Sequence, residues 1–436
     1  MFLKHNTLHM KHYTRNTNGL EQVLQVVRKM EKFDVVIVGA GPSGVMAGIK
    51  AGERGKRVCI IEKNEQICKK LFLTGHGRCN LTNLADLNTF LLKYRNGDFL
   101  RNSFSQFFNT DLIEFFEENG LKLKLERGNR VFPETDRASD VVSILDKLLK
   151  KNKVELLFKS SVKDILKTEK YFEVVISKGK IFSEKVVLAC GGKSFPQTGS
   201  TGDGYRFAKK FGHTIISPKP ALCGVVIKEN FVKKWQGVKL KNVLIKVVTK
   251  DKKIEEEFGE VLFTHYGISG PVILNLSGDI SEQIKKMELF LIINFKPFLT
   301  VEQLDNRLQR EFKENSNKDL KNIFKDLLPN RLIEEFLRYS GINGEKKGNQ
   351  VMKEEREKIV KNLQNFRLTI LDVSGFKDSM VTRGGVDVKE INPKTMESKI
   401  MPGLFLAGEI IDVDGKTGGY NLQFAFTTGY VAGVHL

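Results

Sequence analysis

The chain has 436 residues, 71 Lys+Arg against 52 Asp+Glu for a net charge of +19, and 41% hydrophobic residues. That length supports more than one packed core; no apolar run reaches the length of a membrane span, and the polar N-terminus (Lys4, His5, Asn6, Lys11, Arg15) lacks the apolar centre of a secretion signal. The five cysteines (Cys59, Cys68, Cys79, Cys190, Cys223) include no Cys-x-x-Cys pair, which argues against a dithiol redox centre or a metal site and fits free thiols in the cytoplasm.

In chain order, residues 1–31 are polar and aperiodic and read as a disordered or weakly helical extension, with a short helix around Leu20–Lys32. Met30, just ahead of the first strand, offers an alternative start of translation. Phe33–Val38 is a buried strand, Gly44–Gly55 a helix of small residues and Arg57–Ile61 a second strand, a βαβ unit that implies a parallel sheet. Helices are expected around Asn88–Leu92, Phe99–Phe108, Thr110–Asn119 and Ala138–Lys150, then strands at Glu155–Phe158, Phe172–Ile176 and Lys185–Cys190. Beyond Pro218 the alternating runs Val225–Lys228, Asn242–Thr249 and Leu289–Phe295 predict antiparallel strands. Residues 300–365 are helical and lysine-rich, with an apolar stripe through Leu304, Leu308, Leu320 and Phe324 that reads as the core of a small bundle. Strands resume after Phe366, and Gly403–Gly408 closes a last strand before a C-terminal helix.

The first strand runs into Gly39-Ala40-Gly41-Pro42-Ser43-Gly44 and then a helix. Gly39 permits the tight turn, Gly41 lets the backbone approach a pyrophosphate, and Gly44 allows close packing of helix on strand, while the helix N-terminus offers unpaired N–H groups. Glu62 follows roughly twenty residues on, at the end of the second strand, where a carboxylate accepts bonds from ribose hydroxyls. Together these identify a dinucleotide-binding unit. A nicotinamide dehydrogenase needs one such unit, whereas FAD is long enough that the chain must return to it. This chain returns at Gly75–Asn83, at the paired Gly191 and Gly192 after a strand, at Gly408-Glu409, and at Thr417–Gln423, which opens the last helix. A helix N-terminus aimed at the flavin pyrimidine stabilises the negative charge that gathers there on reduction.

These residues resemble the two-dinucleotide-binding-domain flavoproteins, and more closely the BaiN-like, aminoacetone oxidase-like family of NAD(P)/FAD-dependent oxidoreductases. The matching stretches are Gly39–Gly44, Gly75–Asn83, Gly128–Pro133, Gly191–Ala208, Gly259–Pro271, Thr382–Val386 and Gly403–Gly433, and His76 stands where the family commonly has glycine. The resemblance implies an α/β fold, with a Rossmann-like FAD-binding domain over 32–215 and 381–436. It is interrupted by an antiparallel β-barrel-like insert over 216–299 and 366–380, which carries a helical subdomain over 300–365. It further implies that Gly39, Gly41, Pro42, Ser43, Gly44, Glu62 and Lys63 bind the adenosine and pyrophosphate end of a non-covalent FAD. Arg78, Cys79, Asn80 and Thr82 then line the ribityl and flavin region, Gly191 and Gly192 meet the cofactor after their strand, and Gly408, Glu409, Asn421 and Leu422 close over it. Val162 is placed at the adenine.

On the substrate side, His265 is a candidate general acid, against the alternative of a histidine that buttresses a turn. Arg383 is a candidate partner for an anionic group, against a surface arginine beside a glycine turn. Cys79 reads as a small packing residue rather than a redox thiol. The implied reaction is hydride transfer from NAD(P)H, a transient co-substrate, to flavin and then to an activated acceptor such as an enone; oxidation of a small amine is the other branch. There is no second G-x-G-x-x-G unit for a dedicated nicotinamide domain. The positive charge raises an RNA-modifying flavoprotein as a competitor, but the insert has no recognisable RNA-binding signature. The lysines around Glu311–Lys325 alternate with acids as on a solvated face. A small-molecule substrate is therefore expected, and a nucleic-acid partner is not. Nothing in the sequence specifies an oligomer.

Overall fold

The computed structural model describes residues 32–250 and 252–436. The extension expected over 1–31, with its short helix and Met30, lies outside the described residues. Strand Lys32–Val38 forms the centre of a seven-stranded sheet, with Phe33 and Val35–Val38 buried. It pairs in parallel with Val58–Ile61 on one side and Gly179–Leu188 on the other. Glu155–Leu157 and Leu404–Leu406 extend the parallel part. The sheet is mixed rather than wholly parallel. Strand Gly179–Leu188 is longer than its apolar end suggested, and its first half pairs antiparallel with Phe172–Ile176, which pairs with Val162–Lys167.

The last strand and last helix therefore return to the first βαβ unit. Helix Tyr420–Val434 lies against helix Pro42–Glu53 at a separation set by glycine. A Cβ on Gly429 would stand 2.2 Å from the Ser43 carbonyl oxygen, and one on Gly433 2.7 Å from that of Ala47.

Strands Val225–Ile227, Lys239–Val248, Lys253–Phe263, Gly267–Ser269, Leu289–Asn294 and Phe366–Val373 close into an antiparallel barrel. Its core holds the fully buried Trp235 and one face of helix Pro271–Gln283, through Val272, Ile273, Leu276 and Ile280. The helices between Val301 and Gln364 pack on the same core through Leu304, Leu308, Phe324 and Phe336. The chain passes between sheet and barrel along a two-stranded ladder, Ile215–Ala221 against Val381–Val386. No helix among the described residues is long and apolar enough to cross a membrane.

Candidate cofactor and substrate site

The parallel strands point their C-terminal ends the same way, and the loops that follow them line one cleft of about 640 Å³. In an open α/β sheet this edge is where ligands bind. Gly39 turns the chain with φ +106°, and a Cβ there would lie 2.5 Å from the Ala189 carbonyl oxygen. Gly44 is as tightly held, its Cβ position 2.0 Å from the Gly39 oxygen. Gly41 is different: it lines the cleft and a Cβ would meet no protein atom within 4 Å. The space is left for a ligand. Pro42 opens the helix and no side chain caps its N-terminus, so the first N–H groups face the cleft, as a diphosphate requires.

Glu62 is fixed at the end of its strand. Its carboxylate accepts from Ala40 N–H (2.9 Å), Asn64 N–H (2.8 Å) and Asn64 Nδ2 (2.7 Å), which leaves lone pairs for ribose hydroxyls. Lys63 reaches across to Asp203 at 2.6 Å and holds that carboxyl below its ordinary range in spite of burial. Val162 and Gly191 line the same end. Glu409, in the cleft, accepts from Ser194 Oγ (2.7 Å), Lys70 Nζ (2.8 Å) and Thr382 N–H (2.7 Å).

At the other end, the N-terminus of helix Tyr420–Val434 also carries no side-chain cap, and Gly419, Tyr420, Asn421 and Leu422 line the cleft. Asn421 fixes the preceding loop, accepting from Gly415 N–H (2.9 Å) and donating to Gly415 O (2.7 Å). Asn80 lines the cleft and, with its amide turned to suit its neighbours, accepts from Gly419 N–H at 3.0 Å. Arg78 stacks on Phe132 and pairs with Glu126 and Asp136.

Five residues expected at the cofactor, Gly44, Cys79, Thr82, Gly192 and Gly408, are not among those that line the cleft. Gly44, Gly192 and Gly408 meet protein atoms, Gly408 packing on Ser43 and Gly192 on Thr382. Cys79 and Thr82 are buried under the lining. Burial pushes the Cys79 thiol up to about 12, which suits packing and not redox chemistry.

The facing wall comes from the barrel and the end of the ladder beside it: Leu274 on the barrel helix and Leu222, Met380 and Val381 at the ladder end give an apolar surface, with Asn275 and Glu257 among them. Glu257 accepts from Asn275 Nδ2 (2.6 Å) and from Lys416 Nζ (3.0 Å), and Asn275 Oδ1 accepts from Thr417 N–H (2.9 Å). The loop before the last helix is thereby tied to the barrel.

Neither catalytic candidate is at this wall. His265 is exposed on a barrel turn against Tyr266. Arg383 is buried, and its guanidinium is occupied by Asp414 (3.0 Å) and Asp279 (2.8 Å), with Glu282 at 3.6 Å. These carboxylates hold it protonated against the opposing effect of burial and neutralise its charge, so it is not placed to pair with a substrate anion.

The family model for the HI0933-like protein Rossmann domain matches residues 33–435. The chain belongs to this family. Its members are FAD-dependent oxidoreductases, and the HI0933-like chain described here is one. It is 32% identical over 400 residues to the 3-dehydro-bile acid delta(4,6)-reductase of Clostridium scindens, covering 91% of this chain and 97% of that one. It is 29% identical over 405 residues to the ribosomal RNA dihydrouridine synthase of Escherichia coli, with 92% and 97% covered. Among solved structures, a 3-ketosteroid delta1-dehydrogenase from Sterolibacterium denitrificans aligns with a TM-score of 0.48 at 13% identity over 93% of this chain and 99% of that one.

The HI0933-like site also uses residues that the sequence did not single out. Asp203 lies inside a stretch that carries the family resemblance, so a signal was present. Glu257 and Asn275 sit on a strand and a helix whose patterns report only the barrel core, and Lys416 looked like one more lysine.

Proposed function

We propose that this HI0933-like protein reduces a carbon–carbon double bond conjugated to a carbonyl, with non-covalent FAD as its cofactor and NAD(P)H as a transient reductant in the same cleft. The observation that carries the reading is the pairing of a cofactor cradle with an apolar barrel wall whose polar centre is one ion pair, Lys416–Glu257. Bound FAD supplies the hydride. The chain's own residues supply the rest. Leu222, Leu274 and Met380 exclude water, the cradle and the last helix orient the cofactor, and Lys416 Nζ, held by Glu257, donates to the substrate carbonyl oxygen. In this reading Lys416 takes the role of proton donor expected of His265.

The named substrates of the two relatives share the reacting group. A 3-oxo steroid unsaturated at carbon 4 and a uracil ring both present a double bond conjugated to a carbonyl. A uracil carried on RNA is the second reading, favoured by the dihydrouridine synthase relative and the net charge of +19. Five free cysteines support a cytoplasmic setting. The test is anaerobic stopped-flow absorbance of the FAD-loaded protein. Bleaching of the flavin band by NADH or NADPH is expected, followed by recovery on adding a 3-oxo-Δ4 steroid acid or a uridine-containing RNA. In Lys416→Met, recovery should slow by about 10²-fold while FAD content stays the same. No bleaching with either nucleotide sinks the nicotinamide link. Bleaching without recovery on any conjugated acceptor sinks the reductase reading and turns the search to amine oxidation.

A further inference from the structure

We propose that Lys93 and Arg130, on the rim of the cleft, form a subsite for an anionic oxygen group, a phosphate or carboxylate, that the substrate carries away from its reducible bond. The proposal rests on the reductase reading for the identity of that bond. Both residues line the cleft, and both flank the loop that leads into the last helix. Lys416 N–H donates to Lys93 O at 2.9 Å, which continues the antiparallel pairing of Asp414 with Arg95 and Gly415 with Tyr94. Lys93 and Lys416 therefore stand opposite one another. On the other side, Asn83 pairs with Arg130 in a second short ladder and donates to Gly418 O at 3.1 Å.

The charges at this rim do not balance. Two lysines directly opposite repel each other, and one carboxylate, Glu257, serves the pair through Lys416. Lys93 has no ion-pair partner among the described residues. Arg130 comes within 3.8 Å of Glu126, but that carboxylate already accepts two bonds from Arg78, at 2.8 and 3.2 Å. Arg130 Nε donates to the Arg127 carbonyl, which leaves one terminal nitrogen of the guanidinium, and the outer N–H of the other, for a ligand. Unpaired lysines such as Lys313 also occur on the helical region, but they are exposed there, whereas Lys93 and Arg130 are half-buried in the wall of the cleft. An unpaired lysine beside an arginine that shares its one carboxylate with Arg78, on the wall of a partly enclosed cleft, attracts an anion more strongly than the same charges in open water. An arginine fork beside an ammonium suits phosphate or carboxylate oxygens.

The FAD-loaded protein is the sample, because its diphosphate turn is then filled. It is titrated calorimetrically with inorganic phosphate, alongside the double variant Lys93→Gln, Arg130→Gln and a charge control, Lys313→Gln, on an exposed helix face. Phosphate should bind wild type and control alike and the double variant about tenfold more weakly. Equal binding to all three, or none to wild type, overturns the subsite. The source of the anion is read from flavin kinetics. The preference for an enone carboxylate over its neutral ester should fall about tenfold in the double variant, with reduction by NADPH unaltered. A loss confined to reduction by NADPH overturns the substrate assignment in favour of the reductant's phosphate. Failure of every enone with phosphate binding intact overturns the reductase reading and supports the subsite.

Discussion

Gly39 and Gly41 occupy one turn, yet a side chain at each would meet opposite surroundings. At Gly39 a Cβ runs into the Ala189 backbone at a φ of +106°, so Gly39→Ala strains the sheet itself. A loss of about 2 kcal/mol is expected by urea denaturation of the apoprotein. At Gly41 the Cβ enters open cleft, so Gly41→Val should leave the apoprotein's melting temperature in place and weaken FAD at least tenfold. A Gly41→Val protein that binds FAD as tightly as the wild type would refute the cradle. Cysteine chemistry gives a second test at this scale. Cys190 lines the cleft, and burial pushes its thiol up to about 12, with Cys79 alike and Cys223 up to about 11. The native protein should therefore react slowly with a disulfide reagent at pH 8, and FAD should slow it further. A fast stoichiometric thiol would contradict this picture.

Among the elements, the buried pairing of His213 shows how geometry can mimic chemistry. Its Nδ1 lies 3.0 Å from Glu390 and its Nε2 2.8 Å from Ser398 Oγ, the spacing of a nucleophilic triad. Ser398 Oγ, however, also accepts from Ile400 N–H (3.0 Å) and Met401 N–H (2.8 Å), and both His213 and Ser398 are buried. The serine caps a turn. A fluorophosphonate probe should leave it unlabelled, whereas Ser398→Ala should cost about 1–2 kcal/mol of stability on urea denaturation. Labelling at Ser398 would show that the turn opens. Local patterns explain what the sequence made legible. The strand–turn–helix around Gly39–Gly44 and the last helix follow from a few consecutive residues each. Alternation made the barrel strands at Val225–Ile227, Lys239–Val248 and Leu289–Asn294 visible, but not Lys253–Phe263, whose charged run Glu255–Glu257 hides it, nor the short Gly267–Ser269. Arg383 was misplaced because its partners Asp279 and Asp414 lie far away in the chain, and nothing near Thr382–Gly385 announces them. Glu257 and Asn275 were invisible for the same reason.

At the scale of the whole molecule, two separate hydrophobic cores must hold one geometry if the barrel wall is to face the cofactor. One core lies under the mixed sheet and the other fills the barrel and its helices. They are joined by the Ile215–Ala221/Val381–Val386 ladder and by Arg383, which bridges Asp414 beside the sheet to Asp279 on the barrel helix. Gly278 leaves room for it, since a Cβ there would lie 2.5 Å from the guanidinium carbon. Removing one partner of such a buried set leaves charges uncompensated and costs about 3–5 kcal/mol. The wild-type protein should accordingly melt in one calorimetric transition that FAD raises as a whole, by about 2.7 kcal/mol at a hundredfold excess over its Kd. In Arg383→Met the transition should split, with FAD raising only the part that belongs to the sheet. Trp235→Ala, which empties the barrel core at a cost of about 3–5 kcal/mol, should then lower only the other part. If Arg383→Met melts in a single step that still rises with FAD, the two cores are coupled through the ladder and through contacts such as Lys416–Glu257 and Thr417–Asn275. Arg383 would then be a local ion pair rather than the clamp between them.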